Sequence, residues 1–170
     1  MEGIIGGRTA SDMPGLDIAE QRSWQNFLDS ALRLYATLNR SLVETHHLTL
    51  NDVRLLDMLD KSATGSARMG DLADALMSLP SRVTRQIRRL EMQGLVRRGA
   101  SPDDGRGVLA AITDEGRTQV REAMGTYGDG VRSHFLGRLS RPQIAAMGEN
   151  CRRISVGLKT GTKTAKLGRV

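Results

Sequence analysis

Arginine is concentrated in one short part of this chain, residues 80–98. That segment, the first basic segment, holds six arginines and one acidic residue, Glu91. A second basic segment, residues 151–170, holds six lysines and arginines and no acid. Since the whole chain has a formal net charge of +6, its other residues are acidic on balance. Clustered cations of this kind are suited to binding a polyanion, and a general preference for arginine over lysine would not explain the clustering.

The first basic segment has the residue spacing of a helix with one apolar face. Val83, Ile87 and Leu90 recur at steps of four and three residues, which places them on one side of a helix. Pro80 is suited to the first helical turn, and Gly94 to the end of the helix. The opposite side then presents a row of polar and basic side chains, namely Ser81, Arg82, Thr84, Arg85, Gln86, Arg88 and Arg89.

A helix of this kind fits the major groove of B-form DNA. In that groove an arginine can make two hydrogen bonds to guanine, and a glutamine can make two to adenine. We expect the side chains near the start of the helix to contact bases, whereas Arg88 and Arg89 would contact phosphates.

The neighbouring segments predict the elements that position this helix. Residues 69–76 predict a short preceding helix, and aliphatic stretches on either side of residues 99–107 predict a two-stranded hairpin with a long loop. Thr49 suits the N-cap of an earlier helix. The order of these elements is that of a winged helix-turn-helix.

Longer amphipathic helices are predicted at both ends of the chain. One runs from Ala19 to about Glu44, another begins after Thr113 and runs to about Leu139, and the last has an apolar stripe that ends at Leu158. The stripes of the first and last helices, Trp24 to Leu42 and Ile144 to Leu158, are more extensive than a small DNA-binding unit can cover. Such stripes could equally pack within one chain, but together with a helix that reads DNA they favour a homodimer.

Four stretches of the sequence, GDLADAL, VTRQIRRLEMQGLVRR, DDGRG and AITDEGR, together resemble the MarR (multiple antibiotic resistance regulator) family of bacterial transcription factors. The resemblance extends roughly from Trp24 to Leu158. It implies a mainly α fold with a small β-hairpin wing, that is, a winged helix-turn-helix with N- and C-terminal dimerisation helices. The expected organisation is a disordered tail over residues 1–18, a MarR-like domain over 19–158 with its DNA-binding lobe at about 49–113, and a basic tail over 159–170.

The resemblance also implies a role for the tip of the wing. In the family an Asp-x-Arg motif lies there, and its arginine enters the minor groove while its aspartate helps to hold the wing. Asp104 and Arg106 match that motif, and a single guanidinium suits a narrow, strongly negative minor groove. The expected DNA-binding residues are therefore Ser81, Arg82, Thr84, Arg85, Gln86, Arg88, Arg89, Arg98, Asp104 and Arg106.

The function that the resemblance implies is sequence-specific regulation of transcription. The expected protein is a repressor that binds a palindromic operator in double-stranded DNA as a homodimer and is released by a small aromatic or other organic anion. Two alternatives stay open: an architectural DNA-binding protein without an effector, and a winged-helix module for dimerisation or protein interaction.

An effector pocket would lie between the dimerisation helices and the DNA-binding lobe. The residues expected to line it are Arg22, Trp24, Tyr35, Arg54 and Tyr127. For Trp24 the preferred alternative is an anchor of the dimer core. Relatives that respond to urate have an aspartate where this chain has Arg54, so that ligand is not expected here.

No motif indicates an enzyme, a cofactor or a metal site. The chain lacks a nucleophile elbow, a phosphate-binding glycine loop and a His-Glu-x-x-His motif. His46 and His47 are expected to be loop histidines, and the single cysteine, Cys151, a small buried core residue. Its 170 residues fit one domain, and the sequence shows no signal peptide or long apolar run, so we expect a cytoplasmic protein.

Overall fold

The structure, a computed structural model, describes residues 13–100 and 108–167, with side chains up to residue 158. Its elements in chain order are the helices α1 (Ile18–His46) and α2 (Leu50–Lys61), strand β1 (Ser66–Arg68), helices α3 (Met69–Ala75) and α4 (Pro80–Met92), strands β2 (Val96–Ala100) and β3 (Val108–Ile112), helix α5 (Asp114–His134), a 3₁₀ turn (Leu136–Arg138) and helix α6 (Arg141–Leu167). The predicted fold class, a mainly α winged helix-turn-helix with a small hairpin, is confirmed.

The hydrophobic core lies mainly in the winged lobe, which is formed by α2, α3, α4 and the three strands, and it continues onto α1 and α5. Leu56, Leu59, Leu72, Ile87 and Leu90 are completely buried there. As the low aromatic content predicts, the buried core residues are aliphatic. The predicted inward face of α4 is confirmed, because Val83 is also completely buried.

Helix α4 begins and ends as its sequence predicts. Pro80 occupies the first turn, where the missing N–H group would have had no helical partner. At the other end Gly94 has φ +75°, a left-handed conformation that glycine adopts without steric cost. Glycine at that position allows the chain to leave α4 and enter β2 directly.

The sheet has one strand more than the sequence predicts. Its order is β1-β3-β2, and both pairings are antiparallel, with Ala67 opposite Ala110 and Arg98 also opposite Ala110. The sequence Ser-Ala-Arg of β1 shows no alternation of apolar and polar side chains, so it does not predict a strand. The strand forms because β3 pairs with it, and this pairing depends on the tertiary structure and not on the local sequence.

Helix α5 packs directly on the base of the wing. Thr113 caps it by accepting a hydrogen bond from the Gly116 N–H at 3.0 Å, and its hydroxyl donates to the Gly94 carbonyl at 2.7 Å. A Cβ atom at Gly116 would lie 2.2 Å from the Leu95 carbonyl oxygen, so only glycine fits there. This contact gives a physical reason for the Thr-Asp-Glu-Gly sequence that begins the helix.

Two of the longer helices have ends that differ from the prediction. Helix α5 ends at His134, before a 3₁₀ turn, instead of continuing to about Leu139. Helix α6 continues to Leu167, beyond the expected end near Leu158. No proline interrupts residues 159–167, and the apolar stripe that we used to place the end is not required for helical backbone.

Two side-chain predictions in this region were wrong. His46 is the last residue of α1, where its Nε2 lies 2.7 Å from the Thr126 hydroxyl of α5, so it joins two helices instead of lying in a loop. Cys151 is exposed on α6 and not buried. Ile154, on the same stripe of α6, is also more than half exposed, so a residue on the stripe is not thereby part of a core. His47, the C-cap of α1, has φ 55°.

Candidate nucleic-acid interface

Helix α4 turns its polar face away from the winged lobe. Since Val83, Ile87 and Leu90 are completely buried, the orientation of the helix around its own axis is fixed. Ser81, Arg82, Arg85 and Arg88 are consequently exposed. Thr84 is half-buried, and its hydroxyl donates to the Pro80 carbonyl at 2.9 Å, so this side chain is already hydrogen-bonded to its own helix.

Two other predicted DNA contacts are held by a carboxylate that the sequence analysis missed. Gln86 Nε2 donates to Asp52 Oδ1 at 2.9 Å, and Arg89 Nη2 lies 2.5 Å from both carboxylate oxygens. Asp52 itself is completely buried. The spacing of Thr49 and Asp52 does signal a capping box, but nothing in the sequence indicates that the same carboxylate reaches α4.

Arg98 on the wing strand β2 is also paired within the chain. Its backbone N–H donates to Glu91 Oε1 at 3.1 Å, and its Nε donates to Oε2 at 2.6 Å. These hydrogen bonds from Arg98 hold the pKa of the Glu91 carboxyl below its usual value. The pair joins the last turn of α4 to the wing, so Arg98 has a structural partner as well as an exposed position.

Four guanidinium groups remain on this surface without a hydrogen bond or an ion pair to any residue that the structure describes. They belong to Arg82, Arg85, Arg88 and Arg97. Arg97 was absent from the predicted contacts, although its place in a short exposed strand with Arg98 was a usable signal. Asp104 and Arg106 lie outside the described residues.

A polar groove of about 650 Å³ runs between α4 and the N-terminal end of α2. Four arginines and the buried Asp52 contribute to it, and its full lining is Thr49, Asn51, Asp52, Arg82, Arg85, Gln86, Arg88, Arg89 and Met92. Thr49 and Asn51, at the N-terminal end of α2, form the other side of the groove. The arginines of α4 therefore face polar side chains of α2 across it.

None of the five predicted effector residues lines this groove or the apolar cavity described next. Arg22, Trp24, Tyr35 and Arg54 are exposed, and Tyr127 is half-buried against the core. Trp24 makes a tilted ring contact with Phe27, whose centroid is 6.0 Å away.

An apolar cavity of about 650 Å³ lies instead between α1, the end of α5 and α6. Its lining is Phe27, Ser30, Ala31, Leu34, His134, Phe135, Arg138, Leu139, Ile144, Met147, Gly148 and Cys151.

No group of three or more histidine, cysteine, aspartate and glutamate side chains in residues 13–100 and 108–158 is arranged to hold a metal ion. No described helix combines the length and the apolar character needed to cross a membrane.

Comparison with known proteins identifies the family. Residues 48–108 match the model of the MarR family. Among solved structures, AbsC of Streptomyces coelicolor, a MarR family transcriptional regulator, is 30% identical, with a TM-score of 0.81 over 87% of this chain and 99% of its own. Sco3205 of the same organism, another MarR family regulator, was solved in complex with DNA; it is 33% identical, with a TM-score of 0.81 over 84% of this chain and 93% of its own. No curated protein sequence matches significantly.

The buried apolar face of α4, its exposed arginines and the adjoining wing define a DNA-binding protein of the winged helix-turn-helix class. Given the similarity to AbsC and Sco3205, the chain belongs to the MarR family of transcriptional regulators. The resemblance found in the sequence is thereby confirmed.

Proposed function

We propose that this regulator is a repressor that binds a palindromic operator as a homodimer. The observation that carries the proposal is the set of four exposed arginines around α4 and β2 that have no partner among the described residues. Exposed guanidinium groups held on a helix of fixed orientation can form hydrogen bonds to base edges and to phosphates without first breaking an internal ion pair.

The positions of the four arginines support two different roles in DNA binding. Arg82 and Arg85 lie in the first two turns of α4, the part of a recognition helix that usually reaches base edges. Arg88 lies further along the helix and Arg97 lies on the wing strand, so these two would contact phosphates. Sco3205, whose structure was solved in complex with DNA, supports DNA binding by this chain.

The exposed apolar side chains of the terminal helices support the homodimer. Leu32 on α1 is 59% exposed and Ile154 on α6 is 57% exposed. Together with the apolar cavity between these helices, they form a surface that a second copy would cover. A twofold dimer would present two α4 helices to half-sites about one DNA turn, roughly 34 Å, apart.

We further propose that a small organic anion releases the protein from DNA, and that the protein acts in the cytoplasm. The predicted effector residues Arg22, Trp24 and Tyr35 all lie on α1, which a dimer partner would approach, and Arg54 and Tyr127 lie on α2 and α5. Phenolic acids added to a preformed complex with DNA are expected to lower its affinity. Unchanged binding at millimolar concentrations of the acid would count against an effector of this class.

The proposal is tested by DNA binding of the full chain and of Arg85→Ala. The probes are the DNA upstream of the protein's own gene and a shuffled duplex of the same composition. Arg85→Ala should weaken binding to the upstream DNA by about 1–3 kcal/mol, the usual value of a two-hydrogen-bond base contact, which is roughly 5- to 150-fold. Arg132→Ala removes the same charge from an exposed position on α5 and is the control.

The outcomes separate the possible functions. A loss for Arg85→Ala on the upstream DNA alone supports base recognition, whereas an equal loss on both duplexes makes Arg85 a phosphate contact. Equal affinity of the unmodified protein for both duplexes would favour an architectural role. Failure to bind any duplex at low salt would contradict the proposed function.

A further inference from the structure

Asp52 is a fully buried carboxylate beneath the surface proposed to face DNA. It lies in the first turn of α2, where its Oδ2 accepts hydrogen bonds from the Thr49 N–H at 2.8 Å and the Thr49 hydroxyl at 2.6 Å. From α4, Gln86 and Arg89 donate to the same carboxylate at 2.9 and 2.5 Å. Asp52 therefore connects α2 to the recognition helix α4 through its own side chain.

The burial of this charge depends on all of these donors. An ionised carboxylate without partners is costly inside a protein, and it is tolerated when it is both paired and hydrogen-bonded. Thr49 and Gln86 supply hydrogen bonds, while Arg89 supplies the opposite charge. Asp52 has no solvent exposure, so neither water nor salt replaces these partners in the folded chain.

The adjacent residues Arg88 and Arg89 on α4 consequently differ in whether a carboxylate within the chain compensates their charge. The Arg89 side chain is 40% exposed, but its Nη2 is 2.5 Å from both oxygens of Asp52, which compensates its charge. Arg88 is exposed and makes no ion pair within the described residues, although Glu91 on the same helix attracts its charge. Of the two arginines, Arg88 is therefore the one available to contact a phosphate.

We propose that Asp52 is a positioning residue that raises the DNA sequence specificity of α4 by withholding Arg89 and Gln86 from the DNA. This inference rests on the proposed DNA-binding function. A phosphate contact strengthens binding to every sequence alike, so an unrestrained Arg89 would increase nonspecific affinity. Holding Gln86 also fixes the rotation of the helix, which leaves base recognition to Arg82 and Arg85.

The test measures how the affinity of the full chain for a random duplex and for its upstream DNA depends on salt. Asp52→Asn keeps the side-chain size and the hydrogen-bond acceptor but removes the charge. It should make the slope of log K against log salt concentration steeper by about 0.9, the value of one phosphate contact. Random-duplex affinity should rise several-fold, so the ratio of specific to nonspecific affinity should fall.

A second substitution identifies the source of the extra contact. Arg89→Gln in the Asp52→Asn background should restore the slope of the unmodified protein. Arg88→Gln is the matched control, because it should reduce the slope by about 0.9 in both backgrounds. A slope that stays steep in Asp52→Asn/Arg89→Gln would contradict the proposal.

The proposal can still be tested if the Asp52→Asn variant does not fold. If Asp52→Asn unfolds, Arg89→Gln and Arg88→Gln are compared in the otherwise unmodified protein. The slope should fall with Arg88→Gln and change far less with Arg89→Gln, whereas equal falls would overturn the role of Asp52. If the unmodified protein binds no DNA, the proposed function itself fails, which is a different result from binding with equal slopes.

Discussion

The winged lobe and the terminal helices α1 and α6 differ in how their apolar side chains are covered. In the lobe, Leu56 on α2 and Ile87 on α4 are completely buried, although each helix is short. On the much longer helices α1 and α6, Leu32 and Ile154 are more than half exposed. An apolar stripe at helical spacing therefore identifies the apolar face of a helix, but it does not indicate whether residues of the same chain bury that face.

The arrangement of the elements explains this difference. In the lobe, α2, α3 and α4 pack with the three strands, so each apolar face has a second layer opposite it. Helix α1 packs on α5 and α2 near its C-terminal end, where Leu38 and Leu42 are buried. The rest of its stripe, like that of α6, is left for the proposed second copy.

Shortening a buried side chain in the lobe should have the largest effect. Leu56→Ala removes a completely buried side chain and should lower the free energy of unfolding by about 2–5 kcal/mol, because it loses apolar burial and leaves a cavity. Urea denaturation at fixed protein concentration measures the loss. Met92→Ala, at an 82% exposed position, is the control and should cost about 0.5 kcal/mol or less. Similar losses for the two variants would mean that the lobe lacks the packed core described here.

A charge on the terminal helices should affect association more than folding. Ile154→Asp places a carboxylate in the proposed interface and should weaken dimerisation by about 2 kcal/mol or more, roughly 30-fold, because the charge would be buried without a partner. Sedimentation equilibrium measures the dissociation constant. Met77→Asp makes the same type of change at an 85% exposed residue of the lobe and should leave the dimer intact. Association unaltered by Ile154→Asp would place the dimer interface elsewhere.

The smallest effect is expected at the exposed edge of the lobe, where Glu91 pairs with Arg98. The Arg98 hydrogen bonds lower the pKa of Glu91 in the folded protein. The pair therefore stabilises the fold at pH values above the ordinary glutamate pKa. This stabilisation is lost as the pH falls through the lowered pKa of the folded state, because Glu91 then becomes protonated. The difference in Tm between the unmodified protein and Glu91→Gln should thus be present at pH 7 and shrink below about pH 4.5. Glu44→Gln, at an exposed position of α1, is the control. A difference that is constant with pH would show that the pair does not stabilise the fold.

Local chemistry made most of the fold predictable from the sequence. Thr49, Pro80, Gly94 and Thr113 act through their own backbone neighbourhood, so the helix ends that they determine were predicted correctly. Strand β1 was not predictable in this way, because it depends on a partner more than 40 residues away in the chain.

The candidate site was predictable only as a set of exposed side chains. The buried face of α4 determines which arginines point outwards, and spacing alone gave that face. The pairing of Asp52 with Arg89 depends on how α2 and α4 cross, which one-dimensional spacing does not encode. Cys151 was misplaced for a related reason, since a stripe does not show which face lacks a neighbour in the same chain.

The close contact at the start of α5 has a mechanical consequence. Gly116 lies against the Leu95 carbonyl, and Thr113 bonds to both Gly94 and Leu95, so no flexible hinge separates α5 from the α4–β2 corner. In the proposed dimer, a tilt of α5 would move α4 and the wing with it. The angle between the dimerisation helices would then set the distance between the two α4 helices.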